Sequence, residues 1–387
     1  MRVHIVDPSA YTPPYDHALC AALGAAGAEV ELITSRPPYG EAPAPDGYQR
    51  RELFYGLAHR RPLAGPRGRA QTALKLAEHV PEMLRYRHLA ARADIVHFQW
   101  LTVQPLDVHL LPRPRPRPRL VATAHDVLPR EPRRGQRAAQ RRLYERVDAV
   151  VVHTRHGADR LIELGLDPQR VHVIPHGVLR PWEHARVGGS TPVGAATRQL
   201  AAELPAELRD AQGPVVLFFG LWRPYKGIDL LLHAWRGIEG AQLWIVGMPR
   251  MDTAPLVARA PAGVRFLPRF VSDPELGALM RRASLVVLPY REIDQSGVAF
   301  SALGAGAPLL LSNVGGFPEI AATGAARTFR AGDTRELHAA LARLLADPPA
   351  LGEMAAAARA AAAANGGPFS WNAIARAHLA LYERLLE

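Results

Sequence analysis

Two cationic side chains, Arg223 and Lys226, lie three positions apart and are the residues best suited to bind an anion. Lys226 is one of only two lysines, the other being Lys75, although lysine and arginine together number 47. The apolar run 215–219 predicts a buried strand before the pair, and the run 228–235 predicts a helix after it. Such a turn leads into a helix N-terminus, which attracts anions. An ammonium and a guanidinium together suit two phosphates, and the alternative is a solvated turn with incidental charges.

Two further loops occupy the same kind of position between a predicted strand and a predicted helix. Residues 294–298 (Asp-Gln-Ser-Gly-Val) follow the strand 285–288, and Ser296 is a candidate N-cap whose neighbour Gly297 lets a ligand approach the backbone. Residues 315–319 (Gly-Gly-Phe-Pro-Glu) form the third loop. Open α/β sheets bind ligands at the carboxyl ends of their strands, so three such loops predict a cleft there. The alternative is that these glycines only allow tight turns.

Strand and helix patterns alternate along the whole chain, which predicts an α/β fold with parallel sheets. At 387 residues the chain is too long for one ordinary domain, and we expect two of similar size. We predict a first domain at 1–180, a second at 181–365 and a terminal helix at 366–387 that is able to cross back to the first. The predicted strands are 3–7, 30–34, 95–99, 120–125, 149–153, 171–174, 215–219, 243–246, 265–267, 285–288 and 309–311. The predicted helices of the first half are 16–26, 136–147 and 158–164.

Composition narrows the set of partners and compartments. A net charge of +11 and a pI of about 10.3 favour polyanionic partners, but the charge is dispersed without interleaved exposed aromatics, so we expect no nucleic acid partner. The single cysteine, Cys20, forms no internal disulfide. The sequence from Met1 enters a predicted strand directly, which leaves no room for a signal peptide, and the longest uncharged run is broken by Gly and Pro. We therefore expect a cytoplasmic protein.

At this point the chain resembles a known family along nearly its whole length: the retaining nucleotide-sugar glycosyltransferases of the glycosyltransferase family 4 type. Arg223 with Lys226 is similar to the pyrophosphate clamp of that family, and residues 315–319 are similar to its Gly-Gly-x-Pro-Glu element. Residues 123–126 (Thr-Ala-His-Asp) resemble the loop that faces the donor sugar, and residues 369–371 resemble the start of the terminal helix. The resemblance implies the GT-B fold, which has two facing Rossmann-like domains with an interdomain cleft.

The resemblance also implies roles for individual residues. His125 would position the donor sugar, Asp294 would hold its hydroxyls, and Arg223 and Lys226 would stabilise the charge that develops on the departing nucleoside diphosphate. No motif requires a metal or a cofactor. The residues with an implied donor-binding role are Gly220, Arg223, Lys226, Gln295, Ser296, Gly297, Val298 and Glu319.

The chain departs from the family pattern at several positions. The two glutamates that the family usually places eight residues apart fall on Asp294 and Ala302, so the usual ribose contact of the second glutamate is missing or is supplied elsewhere. The first loop reads Tyr-Thr-Pro-Pro-Tyr-Asp over residues 11–16 instead of carrying a Gly-Gly pair. Tyr11 and Asp16 in this loop are the candidate acceptor-side residues, and the acceptor itself (a small molecule, a glycan or a lipid-linked sugar) stays open.

The sequence leaves alternatives open for the function and for membrane contact. Glycosyl transfer from a nucleotide-diphosphate sugar is the leading prediction, and the alternatives are a nucleotide-sugar epimerase on the same fold or a non-catalytic basic binding protein. The Arg-Pro alternation 113–119 and the basic amphipathic stretch 67–92 predict weak contact with an anionic membrane face, or else a solvated connector and a surface helix pair split at Pro81.

Overall fold

The computed structural model describes residues 1–37, 42–58, 69–112, 118–130, 134–184 and 203–387. These residues divide into two compact units. The first unit is formed by Met1–Gly177 together with Trp371–Glu387, and the second is formed by Val178–Ser370. Residues 113–117 of the Arg-Pro alternation and residues 67 and 68 of the basic stretch lie outside the described residues.

The first unit is built on a seven-stranded parallel sheet with the order β3-β2-β1-β4-β5-β6-β7. Its strands are β1 (Arg2–Asp7), β2 (Glu29–Thr34), β3 (Gln49–Glu52), β4 (Ile95–Phe98), β5 (Arg119–Thr123), β6 (Ala149–Val152) and β7 (Val171–Val173). Its helices are α1 (Pro13–Ala25), α2 (Arg69–Ala90), α3 (Gln104–Leu110), α4 (Gln136–Tyr144) and α5 (Arg155–Glu163), and the last helix of the chain also belongs to this unit.

The second unit is built on a six-stranded parallel sheet with the order β10-β9-β8-β11-β12-β13. Its strands are β8 (Val215–Phe219), β9 (Gln242–Val246), β10 (Val264–Leu267), β11 (Leu285–Leu288), β12 (Leu309–Ser312) and β13 (Ala326–Phe329). Its helices are α6 (Pro181–His184), α7 (Ile228–Ala234), α8 (Ala254–Ala258), α9 (Asp273–Arg282), α10 (Gly297–Ala305), α11 (Phe317–Ala321), α12 (Thr334–Leu345) and α13 (Pro348–Ala361), while α14 (Trp371–Leu386) ends the chain.

Both sheets are doubly wound, and their central strands are apolar on both faces. The strands β6 and β11 are buried at every position, as expected for parallel strands covered by helices on both sides. In each unit the order of strands reverses once, between β1 and β4 and between β8 and β11. The crevice outside the carboxyl ends of the strands at such a reversal is where open α/β sheets bind ligands. The loops that follow these four strands are therefore the ones that matter for function.

Several elements differ from the sequence expectations, and the helix α3 was among those not predicted. The strands β3 and β13 were not predicted, because β3 (Gln-Arg-Arg-Glu) has no apolar residue and both strands lie at sheet edges. An edge strand has a neighbouring strand on one side only, so its sequence need not carry a continuous apolar run. The predicted split of the basic stretch at Pro81 was wrong, since α2 continues through Pro81 from Arg69 to Ala90.

The terminal helix α14 packs within the first unit. The indole of Trp371 at its start lies directly over Gly177, where an added Cβ would come 2.3 Å from the Trp371 Cε2 atom. Further along, the Tyr382 hydroxyl lies 2.6 Å from Nδ1 of His97 on β4. A glycine at position 177 is therefore required by the close approach of the ring, and α14 is tied to the sheet by a buried polar contact.

Candidate functional site

The turn after β8 holds the only lysine of the second unit. The turn begins at Gly220, whose φ of 130° suits glycine, and it ends at Gly227, whose φ is 67°. An added Cβ on Gly227 would lie 2.1 Å from the carbonyl oxygen of Pro289, so this residue must be glycine. Between them the chain makes one turn of 3₁₀-helix at Pro224–Lys226. This turn directs Lys226 inward, and the side chain is only 8% exposed.

The N-terminus of α10 lies beside the same glycine. A Cβ built on Gly220 would be 2.8 Å from the Lys226 Nζ and 3.5 Å from a methyl group of Val298. Ser296 occupies the N-cap position, as predicted, but its side chain makes no capping bond. The N–H groups of Gly297 and Val298 have no hydrogen-bond partner within the described part of the chain. A buried ammonium and unsatisfied backbone donors thus share one location, and no acidic residue lies in the first turn of α10.

The loop at residues 315–319 packs against the loop that carries Asp294 and leads into α10. The N–H of Gly316 donates to the carbonyl oxygen of Asp294 at 3.1 Å. Gly315 has a φ of 54°, and a Cβ there would lie 1.7 Å from the carbonyl oxygen of Ile293. Gly315 is therefore needed for close packing against the backbone that carries Asp294, whose side chain is buried. Glu319 follows in the first turn of α11 and is half-buried.

The remaining predicted site residues of the second unit differ in their exposure and hydrogen bonding. Arg223 is half-buried, and its carbonyl oxygen accepts the N–H of Lys226 at 3.0 Å. Gln295 carries a buried Oε1 atom that has no hydrogen-bond partner among the described residues. Ala302, where the family usually has a glutamate, is 0% exposed on α10. Three loops thus meet at the sheet reversal, while position 302 faces the protein core.

In the first unit, His125 belongs to a hydrogen-bond chain across the carboxyl ends of four strands. His125 Nε2 lies 3.1 Å from the Gln99 side-chain amide, and His125 Nδ1 lies 3.1 Å from His153 Nε2. His153 Nδ1 lies 3.0 Å from the carbonyl oxygen of Ile174. Gln99, His153 and Ile174 directly follow β4, β6 and β7, and His125 follows β5 by two residues.

The chain fixes the tautomer of each histidine. Burial lowers the pKa of His153 to about 4, so this ring is neutral at pH 7. Because the Ile174 oxygen only accepts, His153 donates from Nδ1 and accepts at Nε2 from the Nδ1–H of His125. His125 Nε2 is then an acceptor, but the Gln99 atom facing it is the acceptor Oε1. The Gln99 amide is therefore assigned the flipped orientation, in which its nitrogen, otherwise without a partner among the described residues, donates to His125. Burial, followed by the neighbours His153 and His176, lowers the pKa of His125 well below its usual range.

The two candidate acceptor-side residues have contrasting surroundings. Asp16 is buried on α1 and is hydrogen-bonded to Asp7, which accepts the backbone N–H groups of Ser9, Tyr11 and Thr12. Burial and then the charge of Asp7 raise the pKa of Asp16 well above its usual range. Asp16 therefore holds the proton of the pair, and the pair fixes the loop after β1. Tyr11 on that loop is 69% exposed.

An aromatic stack near the reversal of the first sheet was missed by the sequence interpretation. The Tyr11 and Trp100 rings are 4.7 Å apart, and Trp100 stacks on His125 at 4.8 Å with an interplanar angle of 13°. Trp100 follows β4 by two residues, so its position after a buried strand was the available signal. Tyr290 in the second unit, which also follows a strand by two residues, was missed in the same way.

Comparison with known proteins agrees with this architecture. Residues 15–178 match the family model "Glycosyltransferase Family 4", and residues 213–347 match the model "Glycosyl transferases group 1". The D-inositol 3-phosphate glycosyltransferase of Mycobacterium avium (strain 104) is 29% identical over 394 residues, which cover 93% of this chain and 85% of the relative.

Solved structures share the fold. The sucrose-phosphate synthase of Thermosynechococcus elongatus superposes with a TM-score of 0.73 at 22% identity, covering 100% of this chain and 99% of that one. Anabaena HepE in complex with UDP-glucose superposes with a TM-score of 0.69 at 17% identity, covering 98% and 100%. Two doubly wound parallel sheets of this kind define the GT-B class of glycosyltransferases. Within that class, the chain is a glycosyltransferase that belongs to the family 4, group 1 type.

No helix within the described ranges combines the length and apolar character needed to cross a bilayer.

Proposed function

We propose that the second unit binds the nucleoside diphosphate of a nucleotide-sugar donor, from which the enzyme transfers the sugar with retention. The observation that carries this proposal is the buried ammonium of Lys226 beside the unsatisfied N–H groups of Gly297 and Val298. A diphosphate is an oxygen-rich dianion, which attracts an ammonium group and accepts hydrogen bonds from a helix N-terminus.

This arrangement also acts on the reaction. As the bond between the sugar and the diphosphate stretches, negative charge grows on the departing phosphate oxygens. Lys226, Arg223 and the α10 N-terminus stabilise that charge without reorganising, which is commonly the largest single term in enzymatic catalysis. Asp294 and Glu319, on the neighbouring loops, are proposed to bind hydroxyl groups of the donor. The names of the compared proteins support a uridine nucleotide as the first donor to test, since HepE was solved with UDP-glucose.

The first unit is proposed to bind the acceptor at the reversal of its own sheet. Tyr11 is exposed on a loop that the Asp7–Asp16 pair fixes, and its ring continues the stack of Trp100 and His125. His125 is neutral and both of its ring nitrogens contact protein groups, so it contributes an uncharged ring face to this stack. The relatives' name makes inositol phosphates the first acceptor probes, with monosaccharides as the second set.

Nucleotide binding and product analysis test the function together. We expect one of UDP, GDP, ADP and dTDP to raise the melting temperature of the wild-type protein, since a ligand at about 100 times its Kd stabilises by about 2.7 kcal/mol. Incubation of the matching donor alone and with acceptor probes then separates the candidates. A new sugar isomer without acceptor would indicate an epimerase, and no nucleotide binding together with salt-sensitive nucleic acid binding would indicate a basic binding protein.

Peripheral contact with an anionic membrane is a separate proposal that rests on composition alone. The net charge of +11 favours anionic surfaces, and each basic residue near such a surface contributes about 1 kcal/mol. Cosedimentation with phosphatidylglycerol vesicles at low and physiological salt tests it. Protein that stays in the supernatant under both conditions would contradict membrane contact.

A further inference from the structure

Lys226 lies over an aromatic ring. Its Nζ atom is 4.9 Å from the centre of the Tyr290 ring, which is 0% exposed. Tyr290 follows β11 after Pro289 and lies on the loop that leads to Asp294, whereas Lys226 comes from the turn after β8. The contact therefore joins the two loops on either side of the sheet reversal.

The ring itself is held from several directions. It packs against Tyr225 at 6.2 Å between ring centres and against Phe317 at 5.5 Å. The Ser312 hydroxyl donates to the carbonyl oxygen of Tyr290 at 2.6 Å. Phe317 opens α11, and Ser312 ends β12. All three loops of the candidate site thus contribute to the packing of one tyrosine, and its orientation is fixed before any ligand binds.

An aromatic ring that is held in a fixed orientation restricts the position of the lysine ammonium beside it. The lysine side chain has four rotatable bonds and loses more rotamer freedom on ordering than most side chains do. The face of a tyrosine ring carries partial negative charge and attracts an ammonium most strongly where water is excluded. The Lys226 ammonium also approaches Gly220, where the missing side chain leaves room. The ring and the glycine together define one position for the charge.

We propose that Tyr290 is a positioning residue that holds the Lys226 ammonium, through its ring face, at the place where a nucleoside diphosphate binds. This inference rests on the proposed function. Tyr290 acts through Lys226 and not by contact with the ligand. Its uncharged ring attracts the ammonium through the negative face of the aromatic system and does not itself neutralise the cation.

Isothermal titration of purified variants with UDP, GDP, ADP and dTDP tests the proposal. With the nucleotide that binds the wild type most tightly, Tyr290→Leu is expected to weaken binding by about 10-fold, because the ring face is lost, and Tyr290→Phe is expected to stay within about 3-fold. In a Lys226→Ala background, Tyr290→Leu should have no further effect on affinity. Tyr86→Leu removes a tyrosine buried in the first unit and serves as the matched control with unchanged affinity.

A fluorination series separates positioning from simple packing and covers the case in which Tyr290→Leu does not fold. Tyr290→Phe with one, two and three ring fluorines keeps the ring shape but progressively removes charge from its face. Nucleotide affinity should fall steadily along the series, and a flat series in folded protein would overturn the inference. Wild-type affinity in Lys226→Ala itself would instead overturn the proposed diphosphate site, so the two failures are distinguishable.

Discussion

The loops at the carboxyl ends of the two sheets contain residues of different chemical character. In the first unit, ionisable side chains bond to one another, as in the Asp7–Asp16 pair and the His125–His153 contact. In the second unit, the same edge consists of glycines, backbone N–H groups and one buried lysine. Eight histidines are buried among the described residues of the first unit, whereas none is buried among those of the second.

This difference shows how one architecture can serve two ligands. Positive φ angles at Gly220 and Gly227 bring the backbone and Lys226 together, and a cation beside backbone N–H groups suits a dianion. In the first unit, the neutral histidines and the protonated Asp16 bond to protein partners and hold the aromatic rings of Trp100 and Tyr11, and such a surface suits an uncharged sugar. A buried cation thus marks this edge of the second unit, whereas a polar and aromatic surface marks that of the first.

The largest effect is expected at the lysine. Lys226→Ala removes the buried cation of the second unit, and a lost charge-assisted contact costs about 1.5–3 kcal/mol, or about 10- to 150-fold in nucleotide Kd. Glycosyl transfer should fall by at least the same factor. Titration calorimetry and a transfer assay measure the two effects. Lys75→Ala, which changes the only other lysine, is the matched control, and equal losses in both variants would show that Lys226 has no special role.

Mild acid is expected to destabilise the first unit selectively. Burial lowers the pKa of His153 and of His378 to about 4, whereas an unfolded histidine titrates near 6.5. Between these values the unfolded chain binds more protons, so the free energy of unfolding falls as the pH drops below about 6.5. The loss reaches about 3 kcal/mol per histidine near pH 4.

Hydrogen exchange, corrected for intrinsic rates, measures this loss at pH 7.5 and pH 5. Amides of β6 should lose protection at the lower pH, while those of β8 keep theirs. The second unit is the internal control, because no histidine is buried within its described residues. An equal loss of protection in both units would contradict the assignment of acid sensitivity to the histidines of the first.

A smaller effect is expected at Ala302. Because this residue is 0% exposed, Ala302→Glu places a carboxyl group in the core and should lower the free energy of unfolding by about 2 kcal/mol. Chemical denaturation measures the change, and Ala302→Met controls for added volume. Tighter nucleotide binding in a fully stable Ala302→Glu protein would instead show that the position faces the ribose.

The smallest effect distinguishes two N-caps in the second unit. Ser272 forms a capping box with Glu275 at the start of α9, so Ser272→Ala should cost about 1 kcal/mol of stability. Ser296 makes no capping bond, so Ser296→Ala should leave stability nearly unchanged. Thermal unfolding compares the two variants. Equal destabilisation would indicate that the Ser296 hydroxyl caps α10 in solution.

Much of the fold could be predicted because buried parallel strands are continuous apolar runs. The bounds of β8 and β11 were predicted to the residue, as Val215–Phe219 and Leu285–Leu288. The charged strand β3 could not be found in this way, since an edge strand has no required apolar pattern. The continuity of α2 through Pro81 depends on tertiary packing, which local sequence does not encode.

The residues of the candidate site also fall into those that local sequence could identify and those that it could not. The loops of the second unit could be located because glycine and lysine mark them within a few consecutive residues. The chain from Gln99 through His125 to His153 could not, because its members follow separate strands and meet only when the sheet forms. Tyr290 carries no motif of its own, and its relation to Lys226 depends on the order of β8 and β11.

The central claim is that the loops of the second unit bind the nucleoside diphosphate. Hydrogen exchange of the wild-type protein with and without the tightest-binding member of the UDP, GDP, ADP and dTDP panel tests it most directly. Peptides that cover Gly220–Gly227 and the first turn of α10 should become strongly protected, because the ligand satisfies the N–H groups of Gly297 and Val298. Protection confined to the first unit, with these peptides unchanged, would contradict the account.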